Sequence, residues 1–572
     1  MLHQTAKVSI LSTLLLLCSS MSLTVAGAAA QPEKPKLILQ ITVDQLRGDL
    51  PGRFKKNMGE GGFRYLMEKG IWYANAHYAH SNTETVVGHT TLATGAIPAV
   101  HGMVSNVWFD RDTGKLTYNI EDDRYHILSA GADVDKSTEV DSSQALASTD
   151  GRSPANIISS TFSDELTLHT NGGAKIFAVS VKDRGAVTLA GHTGKAFWFS
   201  KATKDFITSS YYYDKYPKWV AEWNKEKNFE RYANTSWELL KDKSTYLLAA
   251  NDDAPWEMDI AGFGRTFPHE YGAAKGKNFG NFLTFSPAGD ELTLDFALTL
   301  LDKENLGQDN ITDFLAISFS TTDYVGHLFG PSSLEAEDNI LRLDRTLAKL
   351  FAAVDKKVGL ENTLIVLSAD HGGPEAPGYY KAFGIESGYV SPDKWDKEPA
   401  IVRLKKQFGI GQKLIRDFYP PYLYLDRKLI KEKGLDQGEV EKAVAKELMA
   451  IKGVALAVSS TAMAKNKLPD TQLNRSALRN FCAKRSGDIL VLFQPHHFIN
   501  HFNGEVVAAN HGGPWRYDSF VPIVFAGAKI EQETIYREVN PVNIATTLAA
   551  IIGTKPPSGS HGAPLQEVMD DM

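Results

Sequence analysis

Near-continuous apolar runs recur along the chain, and each stops at residues with chemistry to offer. The run 37–43 (LILQITV) ends at Asp44, 176–181 (IFAVSV) at Lys182, Asp183 and Arg184, 314–320 (FLAISFS) just short of Asp323, and 364–369 (LIVLSA) at Asp370 and His371. Segments with so little alternation suit strands buried on both faces, as in a parallel sheet covered by helices. Longer amphipathic stretches lie between them. The spacing predicts helices over 290–303 and 334–358, and over 154–166 with Ser153 as the cap and Pro154 in the first turn. Strands alternating with helices make the fold class α/β: a central, mostly parallel sheet flanked by helices. Ligand sites in such sheets gather at the carboxyl ends of the strands, which is where all four runs put their polar residues.

Two stretches interrupt the alternation. One, around 190–280, is aromatic and Lys-rich; the other, around 375–510, is mixed, with a helical pattern at 439–451 and a strand pattern at 488–493. No internal repeat or low-complexity linker separates them, so 31–572 reads as a single α/β domain with cap insertions.

A further segment, 81–110 (SNTETVVGHTTLATGAIPAVHGMVSNVWFD), opens on a hydroxyl-rich turn and continues as a helix over 86–94 until Gly95, Ile97 and Pro98 stop it. Thr85 therefore lies at a helix N-terminus, where unpaired N–H groups and the helix dipole favour an anion, whether a bound phosphate or the alkoxide of Thr85 itself. Asn106 follows a short loop later and could share that oxyanion. The plainer reading is that Thr85 is an N-cap. His89, four residues on, is read as a packing residue or as the donor of an outer hydrogen bond to the site.

With 43% hydrophobic and 23% charged residues in 572, and a formal charge of -7, the composition is that of a globular protein without an extended basic face for a nucleic-acid partner. The first thirty residues change the picture: Lys7, an apolar stretch over 8–17 and small residues through Ala30 read as a signal peptide, which makes the mature protein periplasmic or secreted. The apolar stretch is shorter than the roughly 20 residues a membrane span requires, and no membrane span is expected after cleavage. Lipidation at Cys18 is the minor alternative. Once the signal is removed only Cys482 remains, so no internal disulfide is expected.

Metal chemistry is the strongest signal. Asp44 ends the first run, Asp323 and His327 form D-x-x-x-H, Asp370 and His371 are adjacent, and His511 stands in ANHGGPW. Carboxylate oxygen and imidazole nitrogen suit Zn²⁺, with Mn²⁺ or Fe also possible. Six such ligands, three per ion, leave open positions for a substrate, and two ions about 3.5–4 Å apart are the geometry of in-line phosphoryl displacement. His496, His497 and His501 (QPHHFINH) form a competing cluster, but no carboxylate accompanies them and they are read as a His-bearing loop.

Taken together, LILQITVDQLRGDL, the 81–110 segment with SNVW, SVKDRGA, TTDYVGH, ADHGG and ANHGGPWRYDSFVPIVFAG resemble the alkaline phosphatase superfamily, and within it the exported, zinc-dependent bacterial alkaline phosphatases of the PafA type. The resemblance runs from about residue 36 to the C-terminal PLQEV. It implies a phosphate monoesterase that forms a covalent phosphothreonine on Thr85. Asp44, Asp370 and His371 would hold one zinc together with the Thr85 oxygen, and Asp323, His327 and His511 the other; Asn106, Lys182 and Arg184 match the residues that contact the phosphoryl oxygens. One departure is Val86 and Val87 before Gly88, where a proline is common. A phosphodiesterase or nucleotide pyrophosphatase of the same superfamily is the alternative, with a catalytically silent metal- or phosphate-binding protein as the non-enzymatic one. A sulfatase is disfavoured, because Cys482 lacks the C/S-x-P-x-R setting.

Overall fold

The computed structural model describes residues 34–499, 501–502 and 505–572, so the expected signal peptide and Cys18 lie outside the described residues. The four apolar runs all form strands of one sheet. Its strands are β1 (Leu37–Val43), β2 (Ile71–His77), β3 (Ile176–Ser180), β4 (Lys195–Phe199), β5 (Phe206–Ile207), β6 (Asp313–Phe319), β7 (Thr363–Ser368), β8 (Phe520–Gly527) and β9 (Glu533–Ile535). They are ordered β9-β2-β8-β7-β1-β6-β3-β4-β5. β7, β1, β6, β3 and β4 run parallel, while β8 is antiparallel to both its neighbours and β5 is antiparallel to β4. In register, Thr42 pairs with Ser318 and Ser368, and Ser318 with Ser180. The four strand ends that carry charged residues therefore lie side by side along one edge.

Helices cover both faces: α1 (Thr85–Thr94), α2 (Phe162–His169), α3 (Asp183–Ala190), α4 (Ala288–Lys303), α5 (Thr321–Phe329), α6 (Leu334–Lys357) and α7 (Val542–Ile552). Alternate β1 side chains divide between them. Leu37, Leu39, Ile41 and Val43 pack with Phe296, Leu300, Leu347 and Phe351 of α4 and α6, and Ile38 with Val86, Leu166, Val187 and Ile544 of α1, α2, α3 and α7. Burial on both faces explains why the runs are apolar throughout.

α1 is unusual in that every residue from Thr85 to Thr94 is buried. Beyond Thr85, its threonines tolerate this because Thr90, Thr91 and Thr94 donate their hydroxyls to the carbonyls of Val86, Val87 and Thr90 at 2.7, 2.9 and 2.7 Å, which pairs those three protons.

The helix expected over 154–166 is not formed. Helix α2 starts at Phe162, with Thr161 and Asp164 in a capping box. Ser153 instead donates to Asp122, and Ser159 and Ser160 bond the C-terminal Ser558 and Gly559, so tertiary contacts take the polar groups a helix start would have used. The patterns at 439–451 and 488–493 become a helix at Gln437–Leu448 and a strand at Ile489–Phe493. That strand belongs to a four-stranded antiparallel sheet with Ile415–Tyr419, Tyr422–Leu425 and Val454–Ser459, built on its own apolar cluster around Trp395, Ile401, Val444 and Val491. Residues from the 190–280 stretch pack instead into the α4 and α6 face, where the Phe206 and Phe296 rings stack with centroids 4.4 Å apart.

Gly88 makes the tightest approach between α1 and the sheet: a Cβ there would lie 1.9 Å from the Asp370 carbonyl oxygen. Gly88→Ala must push the helix away from β7, so it should lower unfolding free energy by about 3 kcal/mol or more, beyond ordinary overpacking. Gly52→Ala, with open space around its Cβ, should be neutral or stabilising. Urea titration of the two variants against the parent checks this.

Candidate active site

Each strand end delivers one part of the site. Asp44 follows β1, Asp370 and His371 follow β7, Asp323 and His327 sit one turn apart on α5, and His511 comes from the loop before β8. Ligand-type atoms of Asp323, His327 and His511 all lie within 4.8 Å of one another, and so do those of Asp44, Asp323 and His371. Asp323 is thus common to both groups, its Oδ1 being 3.3 Å from the Nε2 atoms of His327 and His511. Asp370 Oδ2 lies 3.4 Å from His371 Nε2, beside the second group.

The tautomers suit this arrangement. The Nδ1 atoms of His327, His371 and His511 lie 2.9, 2.9 and 2.8 Å from the carbonyl oxygens of Ala509, Gly372 and Thr83, so each Nδ1 carries the donated proton and each Nε2 lone pair faces the site. Burial holds His371 neutral, its pKa pulled down to about 3.

The carboxylates fit a bound cation. Asp44, Asp323 and Asp370 are buried around the single ammonium of Lys182, which is 2.7 Å from Asp44 and 2.5 Å from Asp323. Burial, then the neighbouring Asp370, raises the Asp44 carboxyl well above the usual carboxylate range. Burial acts the same way on Asp323, but the Lys182 ammonium works against it and Asp323 is held well below. Asp44 Oδ1 and His371 Nε2 find no hydrogen-bond partner among the described residues, while Asp44 Oδ2 and Asp370 Oδ2 meet the Lys182 ammonium and the His89 ring. Buried, clustered and unsatisfied O and N atoms of this kind are a donor set for divalent metal ions.

Thr85 faces this cluster. It is the first residue of α1 rather than its cap: the cap is Glu84, whose side chain does not bond the helix, and Asn106 Oδ1 accepts the Val86 N–H at 3.1 Å instead. With that oxygen engaged, the Asn106 amide NH₂ remains for an anion. Lys182 Nζ and Arg184 Nη2 donate towards Thr85 Oγ1 from 3.5 and 3.4 Å. Asp323 and Asp44 keep the Lys182 pKa raised despite burial, so Lys182 is a cation and not a base here.

Two residues here, Gln45 and Asp141, carried no sequence signal, while His89 takes the outer hydrogen-bonding place its spacing suggested. Gln45 adopts φ 63°, a conformation disfavoured for a residue with a side chain, and so gives its N–H to Asp370 Oδ1 and its Nε2 to Asp323 Oδ1, both at 3.1 Å. His89 Nδ1 contacts Asp370 Oδ2 at 3.0 Å, and its Nε2 is 2.9 Å from Ser318 Oγ, so it supports the site from behind. Asp141, from the loop ahead of α2, holds Arg184 Nη1 at 2.7 Å. His496 packs on Tyr380 and His497 lies in a short strand; among the described residues neither joins a ligand group, and the His501 side chain lies outside them. A cavity of about 560 Å³ opens over Thr85, Asn106 and Arg184, walled by Phe418, Tyr419, Phe493 and Trp515.

The family model described as type I phosphodiesterase / nucleotide pyrophosphatase matches residues 38–514. A relative named calcium-transporting ATPase, from Myroides odoratus, is 33% identical over 95% of this chain and 96% of its own. Alkaline phosphatase PafA from Elizabethkingia meningoseptica is 34% identical over 94% and 95%. The crystal structure of wild-type alkaline phosphatase PafA superposes with a TM-score of 0.83 at 32% identity, covering 93% of this chain and 99% of that one. Among the described residues no helix is long and apolar enough to cross a membrane.

Because Asp323 is common to both ligand groups, its loss should cost more metal than the loss of a histidine from one group. Metal analysis after equilibration with Zn²⁺ should give about two ions per parent chain, about one for His327→Ala and fewer still for Asp323→Ala. Equal metal content in the two variants would contradict the shared-ligand geometry.

Proposed function

The chain belongs to the type I phosphodiesterase / nucleotide pyrophosphatase family of the alkaline phosphatase superfamily, and from that premise we propose that it is an exported, periplasmic or secreted alkaline phosphatase that hydrolyses phosphate monoesters through a phosphothreonine on Thr85. The observation that carries the reading is Thr85 Oγ1 itself, which lies between two buried cations, at 3.5 Å from Lys182 and 3.4 Å from Arg184, beside the carboxylate and histidine groups.

Asp44, Asp370 and His371, with the Thr85 oxygen, would hold one Zn²⁺, and Asp323, His327 and His511 a second, with Asp323 close enough to Asp44 and His371 to support the first site as well. Bound there, the ions would lower the pKa of the Thr85 hydroxyl and of the hydrolytic water and stabilise the leaving oxygen. The Thr85 oxygen bonds to phosphorus as the ester P–O bond breaks, and the alcohol leaves with a proton. Water then cleaves the Thr85–phosphate bond, returning the hydroxyl and inorganic phosphate. Lys182, Arg184 and the Asn106 amide hold the nonbridging oxygens and neutralise charge that a dianionic monoester carries and a diester does not. The phosphodiesterase reading shares the family description, but two cations at the nucleophile favour the monoester.

Two measurements test this. Thr85→Ala should lose about 10³-fold or more in kcat while Thr85→Ser keeps substantial turnover, and acid quench should trap phosphate on Thr85. Replacing Lys182 and Arg184 together by Ala should cost monoester kcat/KM by far the more, roughly 2–4 kcal/mol per lost contact, and diester kcat/KM much less. Equal losses, or a parent that prefers diesters, would transfer the assignment to phosphodiesterase.

A further inference from the structure

We propose that Asp141 is the positioning residue that aims the two-donor edge of Arg184 at the phosphoryl group; the inference rests on the phosphatase reading above. A guanidinium is a rigid plane, so fixing one corner fixes the direction of the others. Asp141 Oδ2 takes Nη1 at 2.7 Å, and the opposite edge, Nη2 with Nε, is left towards the site. Nη2 reaches Thr85 Oγ1 at 3.4 Å, while Nε is buried and finds no hydrogen-bond partner among the described residues. An unpaired buried N–H on a cation is costly, and a tetrahedral oxyanion beside Thr85 is the acceptor that this edge matches as a fork.

Asp141 is itself anchored. Its Oδ1 accepts the N–H groups of Ser143 and Gln144 at 3.0 and 3.1 Å, and its own N–H donates to Glu139 at 2.9 Å. On the other flank Tyr118 OH lies 3.4 Å from Nη1 and gives its proton to Asp183 at 2.6 Å, and Asp183 receives Arg152 Nε at 2.8 Å. The partners of Lys182 differ in kind: Asp44 and Asp323 both belong to the ligand groups, whereas Asp141 belongs to neither. Asp141 thus splits its oxygens between a turn cap and Arg184, and gives none to the ligand groups. It lies 2% exposed in the wall of a cavity meant for an anion, a position that repulsion disfavours unless the carboxylate serves the cation.

The test is a double-variant cycle on the metal-loaded protein with an aryl phosphate monoester, with inorganic phosphate as inhibitor. Asp141→Asn keeps the turn cap and removes the charge. It should lower kcat/KM about 10-fold or more and weaken phosphate inhibition in parallel, yet cost less than about twofold when Arg184 is already Ala. The same loss in both backgrounds, or no loss in the parent, overturns the proposal. If Asp141→Asn does not fold, Asp141→Glu, which displaces the carboxylate by one methylene, is judged by the same coupling to Arg184. Arg184→Ala with parental activity would instead show that the phosphatase reading fails at Arg184, whatever Asp141 does.

Discussion

Three carboxylates buried around one ammonium set the terms for the rest of this structure. Asp44, Asp323 and Asp370 gather at adjoining strand ends with Lys182 among them, so the desolvated edge of the sheet carries more negative than positive charge. Isolated buried charges are too costly to persist, and such an arrangement holds only where cations complete it or protons neutralise it. The raised pKa of Asp44 and its unsatisfied Oδ1 register the imbalance, and histidines with lone pairs turned inward supply the remaining ligand atoms.

Backbone features keep that edge compact. Gly88 lets α1 touch the Asp370 carbonyl, which brings Thr85 and His89 to the end of β7. Gln45, in a left-handed conformation directly after Asp44, ties the carboxylates of Asp370 and Asp323 together through one residue. Strain of this sort survives only where surrounding contacts over-determine it, and it sits here between the two ligand groups.

The second sheet gives the site its depth. Strand Ile415–Tyr419 and the segment around Phe493 build one wall of the cavity above Thr85, and the loop with His511 and Trp515 builds another. The 190–280 stretch contributes no lining residue to that cavity among the described residues; it thickens the α4 and α6 side of the main core. Two insertions that look alike as interruptions of the strand and helix pattern therefore occupy different places.

The sequence by itself determined the parallel sheet and the polar strand ends, because a strand covered on both faces must be apolar along its length and leaves its chemistry to the residue where it stops. Asp44, Asp370 and His371 were legible for that reason, and Asp323 with His327 from their one-turn spacing. The start of α2 was not, since Ser159 and Ser160 spend their hydrogen bonds on Ser558 and Gly559, a contact across some 400 positions that no local pattern records. Nor were Gln45 and Asp141. An ordinary Gln and an ordinary Asp acquire their roles from a positive φ and from a loop that passes behind Arg184, and both are decided by how distant segments meet. Thr85 was legible as an anion position at a helix start with an N-cap as the plainer alternative, and the tertiary structure decides between them by giving the capping bond to Asn106 and leaving the hydroxyl facing the cations.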